Sequence, residues 1–445
     1  MEELTNNELR RNQTLLLAFF LYSTFSGAIR KWVTTGNSSV NNILLAVQLL
    51  LPFGLMLLMR REKNIFTTTP TLAYAVLLVF FALNPMNMTL YHGIFGFLMH
   101  FSFWLMMFAY LHERDAFPFE KLIVPFVIVC LIQSVLCFFQ FTMPITHLIN
   151  RYESGESTSG FEGGMVRVSG TFSYIGGYAA FLYFFGFLVW ALLIENKRNL
   201  LLLLLLSTLC LVCAFMNGSR TTTLMVAVCI GIGFMSYGTF TNKLRVLFVV
   251  PVLLILASVY NLDTKLSTVV AAYDAFTGRV ESGVRSGESN NRIFETVIEI
   301  GDFKSENTFF GLGLGATYQG ATQTWGKSPY VTAYGFFEEE PERILLEGGY
   351  ALLLIRALLF IWLIKLLKIP KYLSIPIMIY LFFFAQMVSS TFQSTFTFLG
   401  IALLDKMYYL KELAAETEEN EGNEGNDEQD FEDFEEMPLE TTPSV

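Results

Sequence analysis

LLLLLLLSTLCLVCAF, residues 200–215, runs for sixteen positions without a charge and without alternating apolar and polar residues. A hydrocarbon core of about 30 Å takes roughly 20 predominantly apolar residues as a helix, and inside it every backbone N–H and C=O must be satisfied within the segment. Strands of a membrane-spanning barrel would alternate. This run does not, so it reads as a membrane helix. The chain continues through MNGSRTTTLMV, which sets Arg220 between this run and the next apolar stretch. A charged side chain at the centre of a membrane helix costs about 2.5–3.5 kcal/mol on insertion scales, so such residues either snorkel to water or serve a site.

The same pattern recurs on both sides. Hydrophobic residues make up 53% of the 445 and charged residues 15%, against about 25% charged in a soluble chain. The fold class is therefore an all-α polytopic membrane protein. Twelve candidate helices lie near 14–33, 40–59, 70–86, 91–111, 120–143, 171–194, 199–216, 221–238, 244–261, 343–366, 372–388 and 392–410. The domain reading follows: helices one to nine in 1–261, a large loop in 262–342, helices ten to twelve in 343–410, and a tail in 411–445. The tail holds 14 Asp and Glu against one Lys, so the −10 of the whole chain conceals +3 outside it. It has no apolar period, and this composition predicts a disordered, solvated appendage. Cys130, Cys137, Cys210, Cys213 and Cys229 all fall in apolar runs. They read as small buried hydrophobes, with neither a disulfide framework nor a zinc pattern. The N-terminal apolar run has no small-residue cleavage site after it, which argues against a cleavable signal peptide.

Lys and Arg in the connecting segments set orientation. With the N-terminus inside, sixteen basic residues fall on inner segments, and Arg30, Lys31, Arg151, Arg167 and Arg220 on short outer ones. Both termini are then cytoplasmic and 262–342 lies outside. Arg167 and Arg220 run against the charge rule, and each stands where an outer helix begins. Helix N-termini favour anions, and arginine suits bidentate phosphate recognition. A phosphate site and simple snorkelling to headgroups fit that placement equally well. Arg30 and Lys31 are open to either reading. Arg356, inside the tenth helix, reads as snorkelling inward towards Lys365.

In the outer loop, NRIFETVIEIGDF puts Ile293, Val297 and Ile300 at helical spacing, predicting a short amphipathic helix at the membrane surface. FFGLGLG, 309–315, lacks the Lys-Ser/Thr of a P-loop and reads as a flexible turn beneath a cavity. The loop closes on FEEEPERILLEGGY, with Glu338, Glu339, Glu340 and Glu342 at the start of the tenth helix and Glu347 further in. These carboxylates either cap a helix N-terminus or hold one general base towards a hydroxyl. Local sequence favours the cap. Ser389 to Thr397 gather hydroxyls and amides that line a cavity or bond helix to helix.

In order, RVSGTF (167–172), GSRT (218–221), NNRIFETVIEI (290–300), FFGLGLG and PERILLEGGYALLL (341–354) resemble the O-antigen ligase and O-antigen or exopolysaccharide polymerase superfamily of bacterial inner-membrane proteins. The resemblance covers roughly residues 160–365. It implies a glycosyltransferase-C-like membrane enzyme that takes glycans from undecaprenyl-pyrophosphate at the periplasmic face, without a nucleotide sugar, cofactor or metal, and with inversion. Its partners would be the lipid-linked glycan, an acceptor glycan or lipid, membrane lipids and a chain-length regulator, with no role for nucleic acid. Arg167 and Arg220 match the family's pyrophosphate-contacting arginines, and Arg292 matches a third. The ligases carry a histidine near the end of the outer loop. Here the histidines are His92, His100, His112 and His147, none within 262–342, and EEEPER takes that place. This departure favours polymerase over ligase and makes Glu342 or Glu339 the substitute base. A lipid-linked glycan transporter is the alternative from another class. Such carriers commonly show internal repeats, and no repeat between the halves is evident.

Overall fold

The computed structural model describes residues 5–59, 61, 65, 68–161, 165–195, 200–236, 267–285, 298, 300–318, 325–334 and 340–435, with backbone alone over 418–435. Its helices are α1 (Asn6–Ala28), α2 (Ser38–Leu58), α3 (Thr69–Ala82), α4 (Leu90–His112), α5 (Ile123–Thr142), α6 (Ile175–Glu195), α7 (Leu200–Asn217), α8 (Arg220–Ser236), α9 (Ser267–Arg285), α10 (Pro329–Tyr334), α11 (Glu340–Leu366), α12 (Lys371–Phe384) and α13 (Thr391–Glu435). Among the described residues there is no strand, only the isolated bridges Arg151–Ser157 and Gly160–Val166. Six segments are long and apolar enough to cross a membrane: α2, α4, Arg114–Thr142, α6, α7 and α11. This is the build of an all-α membrane protein. The candidate helix 244–261 lies outside the described residues.

The core is built on α6. Every residue of its apolar window is buried, and it packs most extensively against α13 and α8. Lipid supplies no hydrophobic drive between helices, so close packing does the work. Gly400 of α13 faces the Phe187 ring, and Gly186 faces Val226 and Cys229 of α8. Around them Phe20, Phe126, Phe184 and Phe396 interlock, with Phe20 and Phe126 4.6 Å apart edge to face. Each such pair adds about 0.5–1.5 kcal/mol beyond burial. All five cysteines are free and buried, as their sequence context predicts.

Several boundaries differ from the sequence expectation, and three of them have a plain local reason. α6 starts at Ile175, not 171, because residues 169–172 form a turn with Gly170 at φ +54°. α12 stops at Phe384, before Gln386 at φ +47°. The last helix continues to Glu435, although composition predicts an unstructured acidic tail. Glu, Ala, Leu and Lys are strong helix formers, and a helix already nucleated in α13 needs only to propagate.

α11 is broken at Gly349, whose φ of 63° and ψ of −168° are open to glycine almost alone. Its first segment, 340–349, is buried throughout. The glycine-rich stretch after Asn307 pairs with it backbone to backbone: Leu312 N–H to Leu346 O at 2.9 Å, Gly313 N–H to Glu347 O at 3.0 Å, and Ala351 N–H to Phe309 O at 3.0 Å. Asn84 and Asn87, from the turn between α3 and α4, donate to Gly311 O and Leu314 O. FFGLGLG is therefore no flexible turn. It satisfies the backbone groups that the helix break exposes.

Candidate functional site

Chain direction alternates, so the ends of many helices meet at two poles. One pole holds Asp405. Arg114 Nε bonds Asp405 at 2.9 Å, Tyr110 Oη donates to the same carboxylate at 2.9 Å, and Lys406 pairs with Asp115 at 2.7 Å. Asn12 of α1 reaches Ala116 O there. The other pole holds Arg220 and gathers the ends of α1, α5, α7 and α12 with the starts of α6, α8, α11 and α13.

Two segments bring Arg167 and Arg220 to this second pole. The 150–167 segment folds back on itself, with Thr158 N–H bonding Asn150 O at 2.8 Å and Arg167 N–H bonding Ser159 O at 3.1 Å. Arg167 Nε donates to Asn217 O at 3.1 Å. Asn217 in turn donates to Val168 O and Ile175 O. Asn217 closes α7, and Arg220 opens α8 three residues after it. The sequence-predicted pair is thus held against a single turn.

A cavity of about 450 Å³ opens beside that turn. Its lining includes Gly160, Phe161, Arg220, Asp274, Arg279 and Ser282. Burial first, and then the positive charge of Arg279, push the Arg167 guanidinium down to about 10, so it remains a cation at neutral pH. Arg167, Arg220 and Arg279 therefore form one electropositive region, and Asp274 is the acid in the cavity lining. Arg279 escaped the sequence reading because, within the outer loop 262–342, the helix was expected only at NRIFETVIEIGDF. The signal was present in STVVAAYDAFTGRVESGVR, where Ala272, Ala275 and Gly283 share the buried face of α9. Phe215 of α7 meets Phe276 of α9 at 5.1 Å and Tyr273 at 5.7 Å. This packing brings Arg279 to the cavity.

The carboxylates of α11 divide by their contacts. Glu340 pairs with Arg356 at 2.8 Å, both 1% exposed, and accepts Val388 N–H at 3.0 Å. Arg356 also lies over the Trp104 ring. It does not snorkel towards Lys365, as its place in the sequence suggested, because Glu340 neutralises it within the bundle. Glu347 meets His100 Nε2 at 3.0 Å and accepts from Thr317 N and Oγ1 at 3.0 and 2.6 Å. Arg343 reaches Thr317 O at 3.4 Å. Glu342, 9% exposed, lies between these two anchored acids in the first turns of α11. Glu339, Glu338 and Arg292 lie outside the described residues, as does most of the amphipathic segment around Ile293 and Val297. Arg30 pairs with Glu153 at 2.5 Å, and Tyr174 Oη meets Ser390 Oγ at 2.8 Å. Among the described residues no group of three or more His, Cys, Asp or Glu is placed to hold a metal ion.

No family model, curated protein or solved structure matches the chain.

Proposed function

We propose that the chain is a bacterial inner-membrane glycosyltransferase that polymerises undecaprenyl-pyrophosphate-linked oligosaccharide repeats, with the Arg220 pole facing the periplasm. The observation that carries this reading is that Arg220 and Arg279 line one cavity of about 450 Å³, with Arg167, from a third segment, close enough to feel the charge of Arg279. Like charges do not gather at a membrane lip without reason, and a pyrophosphate is an anion that three guanidinium groups can hold. The excess of basic residues on the segments nearer the Asp405 pole supports the orientation.

In this mechanism an acceptor-sugar hydroxyl attacks the anomeric carbon of the lipid-linked donor. The new C–O bond forms as the bond to pyrophosphate breaks, and negative charge builds on the departing pyrophosphate. Guanidinium groups already in place stabilise that charge without reorganising. The hydroxyl proton passes to a carboxylate of the α11 start, and Glu342 is the assignment among the described residues, with Glu339 the other sequence candidate. Glu340 and Glu347 are held by Arg356 and His100 within the bundle. The absence of histidine from 262–342 favours polymerase over ligase. Glycan profiling of a deletion strain complemented with wild type or Arg220→Ala tests the proposal. The polymerase reading expects single repeats and no long chains in the deletion strain and in the variant. Long chains left on the lipid carrier would instead identify a ligase, and a normal profile from stable Arg220→Ala would refute the arginine clamp.

A further inference from the structure

We infer that Lys31 is a positioning residue, whose buried amine pins the Ser169–Thr171 turn and thereby fixes Arg167 beside Arg220. The inference rests on the proposed role of Arg167 at the donor. Its local basis is the last turn of the first membrane helix. Ile29–Val33 is π-helical, with Thr34 N–H bonding Ile29 O at 2.9 Å. Single π-turns occur often at functional sites, and this one buries both Arg30 and Lys31.

Lys31 is fully buried. Its Nζ donates to Ser169 Oγ at 2.8 Å and to Gly170 O at 3.2 Å, and lies 5.3 Å from the centre of the Trp32 ring. None of these partners is a carboxylate. Its neighbour Arg30, by contrast, has Glu153. The rest of the turn is held by amides of α5. Gln140 Oε1 accepts Gly170 N–H at 2.8 Å, its Nε2 donates to Gly170 O at 2.9 Å, and Gln133 bonds Thr171 through both its oxygen and its nitrogen. Thr171 Oγ1 then donates to Thr24 O on α1.

A buried ammonium without a carboxylate lowers stability, and replacing buried charges with apolar groups of similar size is often neutral or stabilising. Neutral glutamines already serve the same turn, so folding alone does not call for a lysine here. What Lys31 adds is a second tie from α1, beside Thr171–Thr24, made at Ser169, two residues past Arg167, which is itself bonded to Asn217 at the end of α7. With both ties the guanidinium is fixed relative to Arg220. Without Lys31 the turn keeps its Thr171–Thr24 bond to α1 but loses the tie at Ser169 and Gly170, the part nearest Arg167.

The test uses the full chain in proteoliposomes, with a synthetic undecaprenyl-pyrophosphate oligosaccharide as probe. Lys31→Met is compared with wild type in melting temperature, in hydrogen exchange of the 165–174 peptide, and in kcat/KM for the probe. The kinetics are repeated in an Arg167→Ala background. Positioning predicts an unchanged or higher melting temperature and faster exchange in 165–174. It also predicts a loss of about tenfold in kcat/KM that shrinks below about twofold once Arg167 is gone, because coupled residues are non-additive. Ser169→Ala, which removes one acceptor without adding bulk, moves exchange and kcat/KM the same way by less. Unchanged exchange overturns the inference, whatever the enzyme does. So does a loss equally large without Arg167, which would make Lys31 a general stability element. Wild type that does not turn over the probe overturns the glycosyltransferase reading instead, and the exchange result still decides whether Lys31 pins the turn.

Discussion

At one pole of the bundle Arg114 bonds Asp405 and Lys406 bonds Asp115. At the other, Arg220 and Arg279 line a cavity together with Asp274, and Arg167 lies within reach of the charge of Arg279. The residue types are the same, but their arrangement separates two uses of charge. A buried acid shared by an arginine and a tyrosine locks α4 to α13, and Asp405 Oδ1 also accepts Lys368 N–H at 2.5 Å from the turn after α11. At the cavity the arginines face a shared space beside Asp274. The second pole has its own locks, Glu340–Arg356 and Glu347–His100, and these hold the broken start of α11 in place. Charge therefore serves the scaffold wherever cation and acid meet in the interior, and serves a ligand where cations face a common space.

The comparison can be broken by removing one element of each kind. The largest effect on stability is expected at the lock. Asp405→Ala leaves Arg114 and Tyr110 without their buried acceptor and should destabilise the fold by about 3–5 kcal/mol, read by unfolding in mixed detergent micelles. Turnover per folded molecule should change little. At the cavity the pattern reverses. Arg279→Ala should lower turnover of the lipid-linked donor by about 10²-fold, the cost of losing one preorganised donor to a developing anion, while its melting temperature stays put. Arg279→Lys should recover only part, since an ammonium lacks the bidentate fork. An Arg279→Ala variant that melts early and elongates normally would move Arg279 to the scaffold side.

Gly349→Ala sharpens the account of the α11 break. Its φ of 63° disfavours any side chain, and an added Cβ would come within 2.3 Å of Phe309 O. A loss of about 1–3 kcal/mol is expected, measured by thermal melting, together with faster exchange in 309–315. The smallest effect belongs to the half-exposed pair Lys368–Glu412, 2.7 Å apart. Glu412→Ala should shift stability by less than about 1 kcal/mol, and a larger shift would mean that the acidic end of α13 stabilises the bundle.

Much of the architecture was legible in apolar runs. The run at 200–215 became α7, and the RVSGTF and GSRT segments meet where Arg167 bonds Asn217. Sequence failed where backbone geometry or a distant partner decides. Few local cues mark Gly349 as a helix break, because the groups that make it tolerable, Phe309 O for Ala351 N–H and Gly313 N–H for Glu347 O, come from across a long loop. Arg356 looked like a snorkelling cation because its partner, Glu340, sits sixteen residues earlier, past the break. Arg279 was passed over because small residues such as Ala272 and Ala275 give a weak apolar period. His100 reaches Glu347 from α4, a contact that spacing along the chain could not reveal.

The most direct test of the central claim is chain elongation by the purified full chain in liposomes, supplied with undecaprenyl-pyrophosphate oligosaccharide, wild type beside Arg220→Ala. The account predicts a ladder of longer lipid-linked glycans from wild type and a rate lower by about 10²-fold from a variant of unchanged melting temperature. Equal ladders from both proteins would contradict it and leave Arg220 a residue that only snorkels to lipid headgroups.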